Sequence, residues 1–467
     1  MVALLWTGDG ASGVEGARPN IVVIYTDDQD AGSLEFMPSV QQQLVARGTS
    51  FANSFVTTPL CCPSRASFLT GRYAHNHGVR TNLPPRGGWQ KFRPRARRSL
   101  SVWLNRVGYR TAWIGKYLNG YQKTRRVIPP GWDRWFGQIG ARLFDYTLNQ
   151  DGRIVHYGSE ASDYQTDVYS RIANRIALRF AERRDPFLMV VSTGALHTEH
   201  GVELPATGNP RPAPRHVGAR SDAELPDKPS FNEADVSDKP PHVARLPLLA
   251  PAAINTIEGR YRTRLESLLA VDELVASLVE TLEASGELDN TVIVFTSDNG
   301  YFFGEHRIPI DKRQVYEESI RVPLVIRGPG VSEDATSDAI AANIDLAPTF
   351  LALAEAERPR RRKLDGRSLL PQIDVGSDAK DRPLLVEYFR SREAHNAASY
   401  RAVRTERYLF ARYANGFREL YDLAEDPFQL DNVASAPAYR TLRRSLSSDL
   451  RQLTDCAGRS CRRVGAG

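Results

Sequence analysis

The sequence predicts an α/β fold, in which helices pack on both faces of a large sheet, followed by a small C-terminal domain. Residues 20–26 and 291–297 form two almost continuous apolar, β-branched runs, which are typical of strands buried on both faces. Residues 263–283 carry a leucine and valine stripe at helical spacing. The chain has 467 residues, 41% hydrophobic and 25% charged, and is therefore long enough to bury a large core.

Oxygen-bearing side chains follow both predicted strands. Asp27 and Asp28 come directly after 20–26, and Asp298 and Asn299 come directly after 291–297. In an open α/β sheet the functional site lies beyond the carboxyl ends of the strands. Four oxygen donors at such ends suit Ca²⁺ or Mg²⁺ better than Zn²⁺. A solvated turn explains either pair alone, so the metal interpretation depends on finding such a pair at the ends of both strands.

Other residues with chemical potential also follow strand-like segments. A lysine after a strand is usually exposed to solvent, and a single histidine is more often structural than catalytic. Their joint recurrence at strand ends predicts one site. These residues are Lys116 after 111–115, His197 beyond 186–192, and His306 and Lys312 beyond Asp298.

A short helix is predicted to begin near Pro63 and to end at Gly71. Cys61 and Cys62 then lie at its N-terminus, where unpaired N–H groups and Arg65 form an anion site. The two cysteines can simply pack beneath the helix. Beside a cationic pocket, however, a cysteine is a candidate nucleophile.

The run C-x-P-S-R at 61–65, continued by A-S-x-L-T-G-R at 66–72, resembles the signature of the type I sulfatases. Further runs at 115–119, 296–301, 309–314 and 322–324 are similar to those of the N-acetylglucosamine-6-sulfatase and extracellular glucosamine-sulfatase branch. The resemblance extends along nearly the whole chain. It implies an alkaline phosphatase-like fold with a large mixed sheet sandwiched by helices and a small C-terminal α+β domain.

The resemblance also implies that Cys61 is oxidised to formylglycine (3-oxoalanine) by a formylglycine-generating enzyme. A cysteine adduct of sulfate has no easy exit, whereas the hydrate of an aldehyde has one hydroxyl to attack sulfur and another whose collapse expels sulfate. One divalent ion, usually Ca²⁺ with Mg²⁺ as the alternative, is implied as a Lewis acid. The implied metal ligands are Asp27, Asp28, Cys61, Asp298 and Asn299.

Cationic and acid–base roles follow from the same resemblance. Arg65, Lys116 and Lys312 are implied to neutralise the charge of the transferring sulfate group. His197, together with Lys312, is implied to protonate the leaving oxygen.

One position departs from the family pattern. Many sulfatases have a histidine two residues after the lysine that corresponds to Lys116, where this chain has Leu118. The motif therefore does not assign the base that drives collapse of the hydrate. His75 or His77 is a candidate for that base or for binding the sugar, and His306 is a further candidate for binding the substrate.

The expected function is hydrolysis of sulfate monoesters, on a sulfated sugar such as 6-sulfated N-acetylglucosamine. An aryl sulfatase and a phosphoester or phosphonate hydrolase of the same superfamily are the alternatives, which rates on aryl sulfate and aryl phosphate would separate. A third interpretation is an inactive sulfoglycan-binding protein, against which the intact set of motif residues argues.

Charge and hydropathy limit the partners. The net charge is +6, and arginines cluster at 93–98 and 358–363, where they form either a solvated surface or a polyanion-binding surface. No nucleic-acid-binding module accompanies them, and a sulfated glycan suits such clusters as well as DNA does. The motif at 61–72 favours a sulfated small molecule or glycan as the partner. No apolar run approaches the roughly 20 residues that a membrane span needs.

Cysteines and the N-terminal residues bear on the compartment. Cys456 and Cys461 are close enough in sequence to form a disulfide or to remain free thiols, and a disulfide indicates an oxidising compartment. Residues 1–6 are apolar but lack the basic start and full length of a secretory signal, and are a signal remnant or a frayed start. A secreted or periplasmic location is expected.

The predicted division of the chain is a tail or signal remnant at 1–18, a catalytic domain at 19–378 and a C-terminal domain at 379–467. Within the catalytic domain, 201–255 is rich in proline and polar residues, and is expected to be an irregular insertion near the cleft, either a lid or a plain linker. The C-terminal domain is predicted to contain short antiparallel strands at 383–388, 400–404, 408–412 and 419–422 and a helix at about 437–454.

Overall fold

The structure is a computed structural model and describes residues 18–199, 209–359, 363–373, 382–391 and 397–465. Residues 1–17 of the predicted tail, and the predicted domain boundary at 375–381, lie outside these ranges. The strands are β1 Asn20–Thr26, β2 Thr49–Phe51, β3 Ser54–Phe55, β4 Arg110–Gly115, β5 Arg134–Ile139, β6 Tyr146–Gln150, β7 Arg153–Tyr157, β8 Phe187–Ser192, β9 Thr291–Ser297, β10 Leu324–Arg327, β11 Ala335–Ser337, β12 Ala341–Ala342, β13 Leu384–Tyr388, β14 Tyr400–Arg404, β15 Tyr408–Tyr413 and β16 Arg418–Asp422.

Helices connect these strands. The α-helices are α1 Pro38–Val40, α2 Cys61–Thr70, α3 Ala74–His77, α4 Gly88–Phe92, α5 Leu100–Asn105, α6 Gln165–Ala181, α7 Pro241–Ala244, α8 Pro251–Ala284, α9 Glu317–Ile320, α10 Asn343–Leu353, α11 Leu370–Ile373 and α12 Arg440–Asp455. A π-helical turn spans Gln41–Val45, and 3₁₀ turns span Gly32–Phe36, Arg93–Arg98, Tyr121–Thr124, Ala161–Asp163, Pro214–His216, Leu288–Asn290, Val433–Ser435, Pro437–Tyr439 and Gly458–Arg463.

The central sheet is mixed and has the strand order β11-β2-β10-β9-β1-β8-β4-β5-β6-β7. Strands β9, β1, β8, β4 and β5 are parallel neighbours, whereas β10 pairs with β9, and β6 with β5, in antiparallel fashion. The register of β1 and β9 runs from Asn20 opposite Thr291 to Thr26 opposite Ser297. The carboxyl ends of the parallel strands therefore meet at one edge of the sheet.

Both faces of this sheet are covered. Along β1, Val22 and Ile24 face one core, while Ile21, Val23 and Tyr25 face the other, as the alternation of side chains along a strand requires. Helices α1, α6 and α8 contribute to the first core, and α2, α5 and α10 to the second. The predicted fold class, a large mixed sheet sandwiched by helices, is confirmed.

The long helix α8 begins twelve residues before the predicted start at 263. Pro251 occupies its first turn, where a proline is well tolerated, and Ile257 and Tyr261 extend the buried stripe. Arg260 and Arg264 interrupt the apolar pattern, although the structure buries both. A helix assigned from apolar spacing alone therefore starts too late.

The described part of the predicted insertion at 201–255 contains two short helical segments, Pro214–His216 and Pro241–Ala244. Its last five residues, 251–255, are not irregular but belong to α8, because Pro251 starts that helix. The described part of the insertion packs against the loop that follows β9. Arg307 donates hydrogen bonds to the carbonyl oxygens of Glu233 (2.7 Å) and Leu246 (3.0 Å), and His306 N donates to Ser230 O (2.7 Å). This segment braces the loop that carries Lys312.

The C-terminal sheet is antiparallel, with the order β13-β14-β15-β16, and α12 packs on it. Leu385 and Val403 of this sheet share a core with Phe55 and Tyr316 of the preceding part of the chain. Cys456 and Cys461 form a disulfide just after α12. The predicted small C-terminal α+β unit is confirmed, and a continuous core joins it to the two-stranded β3–β12 sheet and to the segments that follow β9.

Candidate active site

Four neighbouring strands bring the predicted site residues together. In the order β9, β1, β8 and β4, these parallel strands end side by side. Gly115 ends β4 with φ +99°, and a Cβ there would lie 2.0 Å from Ser192 O of β8, so only glycine allows this close approach. The residues that follow these ends are Asp298 and Asn299, Asp27 and Asp28, the segment leading to His197, and Lys116.

Cys61 reaches the same point from α2. The helix begins at Cys61, and ends with Gly71 in the left-handed region (φ +61°). The Cys61 Sγ atom lies 3.6 Å from Asp27 Oδ1 and 3.9 Å from Asp28 Oδ1, and Lys312 Nζ donates to it over 3.0 Å. Of the two adjacent cysteines, only Cys61 joins this cluster, since Cys62 packs in the core behind the sheet.

Each carboxylate of the cluster is matched by a cation. Because all six side chains are buried or nearly so, the local dielectric constant is low and each pair is held tightly. The pairs are Asp27 with Lys116, Asp28 with Lys312, and Asp298 with Arg65.

Arg65 ties three strand ends together. Its Nε donates to Asp298 Oδ2 (2.7 Å), and one terminal nitrogen donates to both Lys116 O (2.9 Å) and Ser192 Oγ (2.6 Å). Its guanidinium also lies over the ring of Tyr25, 4.9 Å from the centroid. The planar, permanently charged group is suited to such a fixed junction.

Burial changes the acid–base properties of the cluster. It raises the pKa of the Cys61 thiol to about 12, because Lys116 and Lys312 offset only part of the desolvation. Burial and the neighbouring Asp27 charge raise the pKa of Asp298 to about 6. A full set of ionised carboxylates is thus disfavoured unless a further positive charge lies among them.

The residues fit a divalent cation. One ligand atom each from Asp27, Asp28, Cys61 and Asp298 lie within 4.8 Å of one another. Asn299 donates through Nδ2 to Asp28 Oδ1 (2.7 Å), while its Oδ1 is buried and, within the described residues, accepts no hydrogen bond. Clustered carboxylate and amide oxygens are the donors that Ca²⁺ and Mg²⁺ prefer.

His197 lies at the edge of this cluster, where its ring can join Asp27 and Cys61 as a ligand. Its Nδ1 lies 2.7 Å from Thr198 O. Burial and the charge of Lys116 lower the pKa of His197 to about 4, so the imidazole is neutral at neutral pH.

A cleft of about 630 Å³ opens beside Lys116, His197 and Lys312. In the described part of the chain, its walls include Leu118 and residues 138–142 and 145–147. No sequence pattern predicted that 138–142 and 145–147 lie near the site. None of residues 209–250 lines it.

Arg264 of α8 supports the site, although it was not among the residues predicted to contribute to it. It is 1% exposed and stacks over Tyr301, 3.9 Å from the ring centroid. It donates hydrogen bonds to Leu196 O (2.5 Å) and to Asp28 O, and Asp28 has a positive φ of 63°. The sequence contained one indication of this role, namely an arginine within an apolar helical stripe. A charge at such a position is buried and therefore needs polar partners.

His75 and His77 are not brought to the cleft, contrary to the prediction. His75 Nδ1 lies 2.8 Å from Glu387 Oε2, and its Nε2 lies 3.0 Å from Cys456 O, so it joins α3 to the C-terminal part. His77 is buried between Ser67 Oγ (3.1 Å) and the N–H of Val79 (3.1 Å). The ring nitrogens of both histidines contact protein groups and do not face the cleft.

His306 is likewise remote from the cleft wall. It is fully buried, its Nδ1 lies 2.6 Å from Glu233 Oε2, and its ring lies 4.2 Å from that of Tyr316. The prediction that it binds substrate is therefore not supported by its position. It anchors the insertion to the loop after β9 instead.

Comparison with known proteins gives family matches along the chain. The family described as Sulfatase matches residues 19–356, and the family described as N-sulphoglucosamine sulphohydrolase, C-terminal, matches residues 304–456. The human N-acetylglucosamine-6-sulfatase is 34% identical over 520 aligned positions, which cover 99% of this chain and 90% of that protein.

Two further similarities are informative. The Caenorhabditis elegans homolog of the extracellular sulfatase Sulf-1 is 36% identical over 78% of this chain, which spans half the length of that relative. A protein solved in complex with its substrate D-glucosamine-2-N,6-O-disulfate superposes with a TM-score of 0.77 at 26% identity, covering 95% of this chain and 98% of that one. In the described residues, no helix combines the length and apolarity of a membrane span.

Proposed function

Because the chain belongs to the sulfatase family and is a sulfuric ester hydrolase, we propose that it removes the 6-sulfate of sulfated glucosamine residues at the site around Cys61. The observation that carries this proposal is the convergence of Cys61, three carboxylates and three cations at the ends of β9, β1, β8 and β4. A monosulfate ester is an anion, and these cations surround the place where it must bind.

Residue 61 acts, in this proposal, as formylglycine and not as cysteine. A thiol with a pKa of about 12 is a poor nucleophile at neutral pH, because almost none of it is thiolate. Formylglycine supplies a hydrated aldehyde with one hydroxyl for attack on sulfur and a second for release of sulfate. Lys312 Nζ, which donates to the Cys61 sulfur over 3.0 Å, is placed to hold the attacking group.

The proposed metal ligands are Asp27, Asp28, Asp298, Asn299 and residue 61. A bound Ca²⁺, with Mg²⁺ as the alternative, supplies Lewis-acid polarisation of the sulfate group. The orphaned Asn299 Oδ1 and the raised pKa of Asp298 support a cation here.

The remaining residues orient the sulfate group and handle its proton. Lys116 and Lys312 border the cleft and offset the negative charge of the ester, while Arg65 fixes the strand ends beneath them. His197 is neutral in the free site, and the negative charge of a bound sulfate raises its pKa toward the protonated state. It then protonates the departing sugar oxygen, with Lys312 as the second candidate donor.

The substrate class follows from the relatives. The human relative is named for the 6-sulfate of N-acetylglucosamine, and the solved neighbour was bound to a glucosamine carrying N- and 6-sulfates. A cleft of about 630 Å³ accommodates a sugar of this size. The similarity to an extracellular sulfatase homolog and the Cys456–Cys461 disulfide support a secreted or extracytoplasmic location.

The test combines mass analysis of the peptide that contains residue 61 with sulfate release from 6-sulfated N-acetylglucosamine, other sulfated sugars and an aryl sulfate. We expect an aldehyde mass at residue 61 and preferential release of the 6-sulfate. Cys61→Ala should lower turnover by at least about 10⁴-fold, because the nucleophile is lost. Cys62→Ala, the adjacent cysteine in the core, is the matched control and should remain active.

Full activity of protein with unmodified Cys61 would contradict the mechanism. Faster hydrolysis of an aryl phosphate than of the matching aryl sulfate would favour the phosphoester or phosphonate hydrolase alternative.

A further inference from the structure

A second large cleft, which we name the arginine groove, lies between α12 and the C-terminal sheet. It has a volume of about 920 Å³, and none of its described lining residues lines the catalytic cleft. Its floor is aromatic, with Tyr388, Tyr400, Phe410 and Tyr413. Its charged lining residues are six arginines and one acid, namely Arg401, Arg412, Arg418, Arg443, Arg444, Arg451 and Asp455.

Three of these arginines form a ladder across adjacent strands. Arg401 of β14 is opposite Arg412 of β15, which is opposite Arg418 of β16. Directly opposed residues have Cβ atoms only about 5 Å apart, and like charges in this arrangement are destabilising. The ladder therefore costs stability in the free protein, and an anion that bridges the guanidinium groups relieves this cost.

Among the described residues, acidic side chains neutralise only part of the groove. Arg401 lies 3.5 Å from the buried Glu387, and Arg443 donates to Ala434 O. Arg412, Arg418, Arg444 and Arg451 are exposed and make no ion pair with any described residue. Arg444 and Arg451 are seven residues apart on α12, which places them about 10 Å apart along one face of the helix.

We infer that the arginine groove binds a sulfated polysaccharide chain. Guanidinium groups form bidentate, charge-assisted hydrogen bonds with sulfate, and repeated sulfates match cations spread along both walls. The aromatic side chains of the floor are almost fully buried, so the arginines supply the contacts to the chain. The choice of a glycan over another polyanion rests on the proposed function.

The groove adjoins the loop that carries Lys312. Tyr400 Oη donates to Gln314 O (2.8 Å), and the charge of Arg313, a residue of the catalytic cleft, acts on the Tyr388 phenol of the groove floor. The floor of the groove is therefore in direct contact with the loop that carries Lys312. The groove increases affinity for long substrates and leaves the chemical step unchanged.

The test measures binding of a fluorescein-labelled heparin dodecasaccharide by anisotropy, in the Cys61→Ala background so that nothing is cleaved. The groove variant combines Arg412→Gln, Arg444→Gln and Arg451→Gln. The matched control combines Arg175→Gln, Arg179→Gln and Arg183→Gln, which remove the same charge from exposed positions in the C-terminal half of α6 and just beyond its end. We expect the groove variant to bind about 10- to 100-fold more weakly and with a shallower salt dependence, while the control changes less than about 3-fold.

Two further measurements use the active protein. Hydrolysis of a small aryl sulfate should be equal in the wild type and the groove variant, which separates this inference from the proposed function. The unfolding midpoint of the groove variant should be unchanged or higher, because the ladder repulsion is reduced.

Equal dodecasaccharide binding by the groove variant and the control would overturn the inference. A lower unfolding midpoint in the groove variant would also overturn the inference, because it would show that these arginines stabilise the fold. Tighter binding of single-stranded DNA of equal charge would exclude a glycan as the preferred occupant.

Discussion

The active site and the arginine groove both collect cations, but they hold them in opposite ways. In the active site, Arg65, Lys116 and Lys312 are largely buried, and each contacts a carboxylate. In the groove, four of six arginines are exposed and lack an acidic partner among the described residues. Buried charges act strongly over short distances, whereas exposed ones act weakly and are screened by salt. The same residue types are therefore suited to chemistry in the proposed active site and to long-range attraction of a polyanion in the groove.

The substitution that should most strongly distinguish the active site from the groove is Asp298→Asn. Loss of this proposed metal ligand is expected to lower sulfate release by about 10³-fold or more, and the buried Arg65 loses its counter-charge, which costs about 3 kcal/mol of unfolding free energy. Arg418→Gln in the groove should change that free energy by less than about 0.5 kcal/mol. Metal content per chain, sulfate release and chemical denaturation measure these effects. Full activity in metal-free Asp298→Asn would remove the metal from the mechanism.

A second prediction concerns Lys312. Lys312→Ala should lower kcat by about 10²- to 10³-fold, since the side chain contacts the Cys61 sulfur and offsets charge in a dry site. Arg313→Ala, at the adjacent and more exposed position, should mainly raise KM by a few fold. Raising the salt concentration from about 50 to about 500 mM should abolish the Arg313 effect but not the Lys312 effect. If both effects respond equally to salt, the distinction between buried and exposed cations fails.

Arg264 provides a test of positioning. Arg264→Met should lower kcat by about 10- to 100-fold with little change in KM, because Asp28 and the segment before His197 lose a shared anchor. Arg264→Lys should recover part of this loss, which simple core packing would not predict. The control is Arg262→Met on the same helix, where the arginine donates to Ala223 O away from the site. Equal losses in both variants would assign the effect to helix stability.

The smallest expected effect concerns His75, which lies between the two regions and contacts Glu387, the carboxylate that also lies beside Arg401 of the groove. Burial is the largest single influence and opposes protonation of His75, but the hydrogen bond and charge of Glu387, the Cys456 carbonyl and the charge of Asp365 together outweigh it and raise the pKa of His75. The stabilisation is therefore complete below the unfolded pKa of about 6.5 and is lost as the pH rises through the folded pKa.

His75→Gln should accordingly lower the unfolding free energy by about 1 to 2 kcal/mol near pH 5.5 and by less near pH 8.5. Chemical denaturation at both pH values measures the difference. His156→Gln, at an exposed position, is the control and should show almost no pH dependence. A larger loss at high pH would reverse the assigned sign.

Much of the fold could be predicted from local sequence patterns. Residues 20–26 and 291–297 can be assigned as strands from their own sequence, because continuous β-branched runs suit a sheet that is buried on both faces. The start of α8 was misplaced because Arg260, which precedes the predicted start at 263, breaks an apolar pattern that the fold completes with a buried charge. Local periodicity cannot report partners that are distant in sequence.

The sequence by itself determined the strand-end residues Asp27, Lys116 and Asp298 and the helix-start position of Cys61, since each follows from a local pattern or motif. Only the tertiary structure decided which histidines reach the cleft, that Arg264 supports Asp28, and that arginines from three strands and one helix line a single groove. The physical reason is that strand order and helix packing bring together groups more than two hundred residues apart, and no local pattern specifies those distances.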